Sequence, residues 1–186
     1  MTPAYARVLG AQFQDLAPEL RALHGTYGTY TGQITVTTGS NALLRGLARL
    51  AGFPPAGERM PFTFITRSKG NRDLWQRQIG HTRMSSQLWA TSDAALAERI
   101  GLATGRSRLQ VTPQGGLSQT VTGLRVLGCP LPRVLAPDVT THEGGADGFY
   151  RFDITIRLPL IGALLVRYRG FLKILENHHQ TVTNHG

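Results

Sequence analysis

Cysteine, lysine and long apolar runs are scarce in this chain of 186 residues. Cys129 is the one cysteine, which excludes an internal disulfide and makes a reducing cytoplasm the expected compartment. The longest nearly apolar run, residues 158–166, covers nine positions, whereas a membrane-spanning helix needs about 20. No basic patch leads into an apolar stretch near the N-terminus, so we expect neither a transmembrane segment nor a secretory signal.

Acidic residues are also few, since 11 Asp and Glu stand against 20 Lys and Arg, for a formal net charge of +9. Eighteen of the basic residues are arginines, scattered from Arg7 to Arg169 with no run of three. A nucleic-acid interface needs basic residues clustered on one face, and the chain has no zinc-finger, RNA-binding or basic-heptad motif. We therefore do not expect this basic protein to bind nucleic acid.

The remaining composition is that of an ordinary globular domain, with 41% apolar and 17% charged residues. The chain has no internal repeat and no long linker, so we predict a single domain over residues 1–173. Residues 174–186 are polar, and we expect them to form a disordered tail. His178, His179 and His185 lie there without a converging carboxylate or thiolate, so we predict no metal site.

Two helices are predicted in the first third of the chain, followed by strands. The first helix covers about residues 2–23 and is interrupted at Pro18. The second begins at Ser40 or Asn41 and ends at Gly52. Alternation of apolar and polar residues then predicts strands through most of the chain. We expect an α+β fold in which two N-terminal helices pack on a curved, mainly antiparallel half-barrel of about seven to eight strands.

Two hairpins have a predictable register. A Lys69-Gly70 loop places Phe64 opposite Trp75. In the last hairpin, a loop at 160–162 with a left-handed Gly162 places apolar residues on one buried face and charges on the other. The expected pairs in the last hairpin are Ile154–Tyr168, Ile156–Val166, Leu158–Leu164 and Asp153–Arg169. The same Lys69-Gly70 loop also predicts the pairs Phe62–Arg77 and Met60–Ile79 in the first hairpin.

Four segments together resemble the bacterial domain-of-unknown-function family 4166, over about residues 5–172. In that family the domain occurs alone or C-terminal to an NAD(P)-binding oxidoreductase-like domain, and it has no established catalytic residues. The resemblance therefore implies an accessory or binding role beside an oxidoreductase partner. The segments are Leu9-Gly10, residues 50–57 (LAGFPPAG), residues 127–132 (LGCPLP) and residues 152–170, which end in the stretch GALLVRYRG.

Aromatic residues are concentrated on the predicted inner face of the sheet. They favour a non-catalytic domain with an apolar pocket for a small molecule or lipid-like ligand, although such residues also fill any β-sheet core. No Gly-x-Gly-x-x-Gly motif follows a strand and no phosphate-binding loop is present, so we predict no cofactor. The pocket candidates are Phe62, Phe64, Trp75, Tyr150, Phe152 and Tyr168.

Two charged pairs are the candidates for chemistry. Glu98-Arg99 lies among apolar neighbours, where a structural ion pair is the simpler interpretation. His142-Glu143 precedes a glycine-rich stretch at 144–148, where a solvated turn is the simpler interpretation. A catalytic partner of an oxidoreductase would need Glu98, His142 and Glu143 to converge in one cleft. We do not predict an enzyme from these pairs.

The second predicted helix offers a different function. Arg45 and Arg49 are four residues apart, and Leu43, Leu47 and Leu50 form an apolar stripe beside them. An amphipathic basic helix of this kind binds anionic membrane surfaces. In the alternative arrangement, the leucines face the sheet and the arginines face water.

Overall fold

The computed structural model describes residues 2–174, so the predicted tail, apart from Ile174, lies outside the described residues together with its three histidines. Its helices are α1 (Ala4–Leu9), α2 (Pro18–Gly25) and α3 (Ala42–Leu50), with 3-10 helices at Gly10–Asp15 and Arg133–Leu135. The strands are β1 (Gly28–Thr38), β2 (Gly57–Lys69), β3 (Arg72–Ile79), β4 (Thr82–Ala90), β5 (Leu96–Ile100), β6 (Ala103–Val111), β7 (Leu117–Val126), β8 (Cys129–Pro130), β9 (Asp138–Ala146), β10 (Phe149–Arg157) and β11 (Leu164–Lys173).

The strands form one antiparallel sheet in the order β6-β5-β4-β3-β2-β1-β11-β10-β9-β7, and β8 extends the edge of β7. Because β6 also pairs with β7 along its whole length, ten strands close into a barrel. The α+β class and the antiparallel sheet are confirmed, but the half-barrel of seven to eight strands is wrong. Closure pairs the strand edges that a half-barrel would leave exposed.

The N-terminal segment closes one end of this barrel, which we call the plugged end. The Ala17 N–H donates to the carbonyl of Gly115 in the β6–β7 turn (2.8 Å), and the Gly148 N–H in the β9–β10 turn donates to Glu19 (3.0 Å). Leu20 of α2 is fully buried. The N-terminal helices therefore fill a barrel end, and only α1 and α2 belong to this plug. Since Pro18 begins α2, it separates two helices.

The other end of the barrel carries apolar connections, and we call it the apolar end. Asn41 caps α3 through a 2.8 Å bond from the Leu44 N–H, and this helix joins β1 to β2 at that end. Leu44 and Ala48 face the barrel. The end comprises residues 39–56, Gly80-His81, Gly101-Leu102, 127–137 and 158–163.

The β2–β3 hairpin departs from its predicted register. Its two-residue turn is Gly70-Asn71, and Phe64 lies opposite Arg77, not opposite Trp75. Gly70 has φ +60°, which suits the first central position of a hairpin turn of this type. Because the shift is two residues, every side chain keeps its predicted face. The other two predicted pairs are wrong for the same reason, since Phe62 lies opposite Ile79.

The last hairpin has the predicted register over most of its length. Gly162 is left-handed, with φ +62°. A register shift after Ile156 places Arg157 opposite Leu164, so the predicted pair of Leu158 with Leu164 is wrong. Ile154 and Ile156 are only partly buried. The confirmed pairs are Asp153–Arg169, Ile154–Tyr168 and Ile156–Val166.

Candidate functional site

The six aromatic candidates all lie inside the barrel and are at least nine-tenths buried. Phe64 meets Trp75 edge to face with ring centroids 5.0 Å apart, and Phe62 meets Phe152 in the same way at 5.7 Å. They belong to one core cluster with the apolar residues of α1 and α2. Their packing role is therefore plain, and contact with a ligand stays a prediction.

A stack of three rings joins the plug to the barrel wall. The Tyr5 ring of α1 lies 4.0 Å from the His24 ring of α2 and 5.4 Å from the Trp75 ring of β3, nearly parallel to both. Sequence reasoning did not single out Tyr5 or His24. Each occupies a buried position of a short helix, a kind of position at which an aliphatic side chain is usual.

Among residues 2–174, the most deeply buried contact between an acidic and a basic side chain joins Glu143 Oε2 to His24 Nε2 (2.7 Å), and the two side chains are 5% and 0% exposed. The pKa of the Tyr150 hydroxyl is raised well above its ordinary value, first by burial and then by the negative charge of Glu143. Burial, followed by the same carboxylate, also raises the pKa of Tyr5. This cluster keeps its two phenols protonated.

Asp73 anchors the N-terminus of the plug. Its buried carboxylate accepts hydrogen bonds from the Ala4 N–H (2.6 Å) and the Tyr27 hydroxyl (2.8 Å). A buried carboxylate needs such donors because burial disfavours its charge. Since both donors come from the segment around the plug, the contacts of Asp73 are structural.

Arg77 is the centre of a second polar cluster inside the barrel. Its guanidinium donates to Ser86 Oγ (2.9 Å) and to Glu98 Oε1 (3.1 Å), and it lies 5.1 Å from the centroid of the Trp75 ring. The Arg77 and Glu98 side chains are 20% and 21% exposed, so solvent reaches them. Glu98 of β5 therefore pairs with Arg77 of β3 over the inner face of β4. Its sequence neighbour Arg99 is exposed and donates to the carbonyl of Gly101.

Tyr168 presents a hydroxyl oxygen that is buried without a hydrogen-bond partner among residues 2–174. Its pKa is raised by burial and lowered in part by the charge of Arg77. The guanidinium and the phenol therefore influence each other electrostatically inside the barrel. Buried polar atoms are normally satisfied, and an exception calls for an explanation such as a ligand or a water molecule.

His142 and Glu143 point to opposite faces of β9. His142 is exposed outside the barrel, whereas Glu143 reaches the buried His24. They lie within a strand that continues to Ala146, so the turn predicted for the stretch at 144–148 consists of Asp147-Gly148 alone. Glu98 and Glu143 face the interior, so the three side chains required for the catalytic hypothesis do not converge.

Two shallow depressions of about 380 and 310 Å³ lie against strands β3 and β4. The larger is lined mainly by outward-facing residues, among them Thr63, Gln76 and Arg83, and so lies on the outer wall. Within residues 2–174, no three His, Cys, Asp or Glu side chains form a group that could hold a metal ion. No helix in the same range is long and apolar enough to cross a membrane.

Comparison with known proteins gives one clear result. The family described as "Domain of unknown function (DUF4166)" matches residues 16–172, which include α2, α3, strands β1 to β10 and all but the last residue of β11, but not α1. A comparison with curated proteins gave no match. The part of the plug that contains Tyr5 therefore lies outside the matched range.

Proposed function

Because the chain belongs to the DUF4166 family of unknown function, we propose its role from its own geometry: it is a non-catalytic barrel that binds an apolar molecule. The ligand carries a neutral head group that accepts hydrogen bonds, such as a ketone or an ester. It enters through the apolar end, and its head group reaches Tyr168 and Arg77. The unpartnered Tyr168 hydroxyl carries this proposal.

The interior charges favour a neutral head group over a carboxylate. Three carboxylates face the interior, from Asp73, Glu98 and Glu143, against the guanidinium of Arg77 and the imidazole of His24. A further negative charge would be repelled and would lose its hydration. A carbonyl oxygen accepts from a tyrosine hydroxyl without adding charge.

Partial exposure on the inner wall supports entry from the apolar end. Met60, Met84 and Ile154 pack against the core from the inner face, yet each is only partly buried. Solvent also reaches Arg77 and Glu98, as their exposed fractions show. By contrast, the helices of the plugged end bury their inner side chains almost completely. An apolar ligand would thus cover side chains that water now contacts.

The two tryptophans of the chain provide a direct binding assay. Trp75 lies inside the barrel, whereas Trp89 stacks under Arg72 (4.3 Å) and alternates with the buried Leu88, which places it on the outer wall. In Trp89→Phe, the methyl ester of dibromostearic acid should quench the fluorescence of Trp75. In the matched variant Trp75→Phe, the same ester should leave the fluorescence of Trp89 nearly unchanged.

Two comparisons sharpen this assay. Free dibromostearic acid should bind more weakly than its ester at neutral pH, because its carboxylate meets the interior carboxylates. Tyr168→Phe in the Trp89→Phe background should weaken ester binding by about three- to tenfold, as expected for one lost hydrogen bond. Absence of quenching at Trp75, or equal quenching of both tryptophans, would contradict the proposal.

The family resemblance suggests that this ligand-binding domain has an oxidoreductase as its partner. A domain that holds an apolar molecule beside an NAD(P)-dependent oxidoreductase would present or receive that enzyme's substrate. No contact in the described residues bears on this partnership, so it rests on the resemblance alone. Co-purification of the chain with an NAD(P)-dependent oxidoreductase from its own cells would test the partnership separately from ligand binding.

A further inference from the structure

We propose that the apolar end docks on the surface of an anionic lipid bilayer. All eleven large apolar side chains that are exposed among residues 2–174 lie at this end, and none lies at the plugged end. Soluble domains rarely expose so many apolar side chains together, and such a concentration marks an interaction surface. The side chains are Leu43, Leu47, Leu50, Ile100, Leu102, Val126, Leu127, Val134, Leu135, Leu160 and Ile161.

These side chains form two lobes on opposite sides of the barrel rim. The first lobe consists of α3 and the 158–163 loop, which adjoin β1 and β11. The second consists of the Gly101-Leu102 turn, the Leu127-Gly128 turn and residues 129–137, which adjoin β5, β6 and β7. In the strand order of the closed barrel, the two groups of strands lie across from each other. Two separate lobes on one rim suit a planar surface better than a groove.

Arginines accompany both lobes. Arg45 and Arg49 lie on α3, and Arg133 lies in the second lobe. Three further arginines donate to turn carbonyls beside exposed apolar side chains: Arg99 to Gly101 (3.4 Å), Arg125 to Gly128 (3.4 Å) and Arg157 to Gly162 (3.1 Å). None of these six arginines forms an ion pair with an acidic side chain among residues 2–174. The acidic residues at this end are Glu58 and Asp138.

The backbone supplies an independent observation. Leu127 and Leu160 have φ of +53° and +67°, a region that glycine and asparagine adopt far more readily than leucine. Such a conformation is strained for a residue with a side chain, and strain of this kind is concentrated at functional positions. Both leucines are also highly exposed, so neither offsets this strain by packing within the barrel.

The excess of arginines at the apolar end indicates which partner docks there. A bilayer with anionic lipids attracts a surface on which arginines outnumber acids, while the leucines between them enter the apolar boundary. A second copy that docked by the same face would bring the arginines of both lobes together and be repelled. Membrane contact through α3 was one expectation from the sequence. The structure adds the second lobe and the 158–163 loop to it.

Vesicle co-sedimentation of the full chain tests the proposal. The chain should sediment with vesicles of phosphatidylcholine mixed with phosphatidylglycerol and much less with phosphatidylcholine alone. Leu127→Asn and Leu160→Asn should each weaken sedimentation by about tenfold, as expected for one leucine withdrawn from an apolar phase. Asparagine suits both backbone positions, so these variants should remain folded.

Matched variants at other surfaces provide the controls. Asp147→Asn changes the equivalent turn at the plugged end and should leave sedimentation unchanged. Arg45→Gln with Arg49→Gln should reduce the preference for phosphatidylglycerol, whereas Arg108→Gln, on the outer wall of β6, should not. Failure of the wild type to bind anionic vesicles, or undiminished binding of both leucine variants, would overturn the proposal. It would also be overturned if the leucine variants instead abolished a dimer of the wild type. Tyr168→Phe should bind vesicles normally, which separates this result from ligand binding.

Discussion

The two ends of the barrel contain turns of the same geometry with opposite side chains. At the plugged end, Asp147-Gly148 joins β9 to β10 with φ of +56° and +76°. At the apolar end, Leu127-Gly128 joins β7 to β8 with φ of +53° and +82°. Turns with two positive φ values favour Asn or Asp before Gly. The Asp147-Gly148 turn therefore follows the local preference of the backbone, and the Leu127-Gly128 turn departs from it.

The interior charges differ between the ends in a similar way. His24 and Glu143 join the plug to β9 with almost no exposure, whereas Arg77 and Glu98 are each about one-fifth exposed. The first pair is surrounded by packed rings, and the second is reached by solvent. The plugged end is thus the more tightly packed of the two, and under both proposals the apolar end is the one that contacts other molecules.

The largest effect should come from removal of the buried partner of His24. Glu143→Ala should lower the free energy of unfolding by about 3–5 kcal/mol, because it leaves the buried His24 ring without its hydrogen-bond partner and also leaves a cavity. Glu98→Ala is the matched change in the second cluster and should cost less, because water can solvate Arg77. Urea unfolding of both variants measures the difference. Equal losses would mean that the second cluster is as deeply structural as the first.

The next largest contrast should be between two leucines in helices at opposite ends of the barrel. Leu20 of α2 is fully buried and Leu43 of α3 is 79% exposed. Leu20→Ala should cost about 2–5 kcal/mol through the cavity that it leaves, whereas Leu43→Ala should change stability by no more than about 0.5 kcal/mol. Thermal and urea melts of the two variants decide the matter. A large loss for Leu43→Ala would show that α3 packs its outward face against the protein.

Alkaline pH should destabilise the fold in part through Tyr5 of the plug. Burial raises the pKa of Tyr5 above its ordinary value of 10.0, so the folded chain holds a proton that the unfolded chain releases. Its contribution to stability is intact below pH 10.0 and is lost as the pH rises above that value. Tyr5→Phe should make this decline shallower by up to about 1.4 kcal/mol per pH unit. Urea melts on both sides of pH 10.0 measure the slope, and parallel slopes for wild type and variant would refute the assignment.

The smallest effect should be that of Leu127→Asn on stability. Asparagine is favoured at this turn position, so the free energy of unfolding should stay within about 0.5 kcal/mol or rise. Asp147→Leu, the reverse exchange at the plugged end, should lower it instead. Equilibrium unfolding of the two variants tests whether Leu127 is retained at a cost to the turn. A substantial loss for Leu127→Asn would show that the leucine packs within the protein.

Local patterns in the sequence predicted much of the sheet but not its closure. Alternation in the sequence of β1 places Tyr30, Ile34 and Val36 on one face, and all three are buried in the structure. The last hairpin followed its predicted register because a slip would mix charged and apolar faces. The pairing of β6 with β7 joins a segment to its neighbour, but closure also needs β1 to meet β11 across more than a hundred residues. No local pattern encodes such a pairing.

The candidate site was predictable only in its aromatic part. Alternation identified the inward rings, whereas the partner of Glu143 is His24, which lies 119 residues away in sequence. Glu98 and Arg99 are adjacent in sequence, but the partner of Glu98 is Arg77 from another strand, and Arg99 turns outward. The sequence of α3 allowed its stripe of Leu43, Leu47 and Leu50 to face either the sheet or a membrane, because a helical stripe does not indicate which face packs. In the structure these three leucines are exposed. Leu44 and Ala48 are the buried residues of α3.

Hydrogen exchange on the full chain, with and without anionic vesicles, tests the difference between the ends most directly. We predict slower exchange on vesicle binding at residues 42–53, 100–103, 126–135 and 158–163. The plugged-end turns at residues 70–71, 112–116 and 147–148 should exchange at unchanged rates. Protection at the plugged-end turns, or none at the apolar end when the protein is bound, would contradict the account.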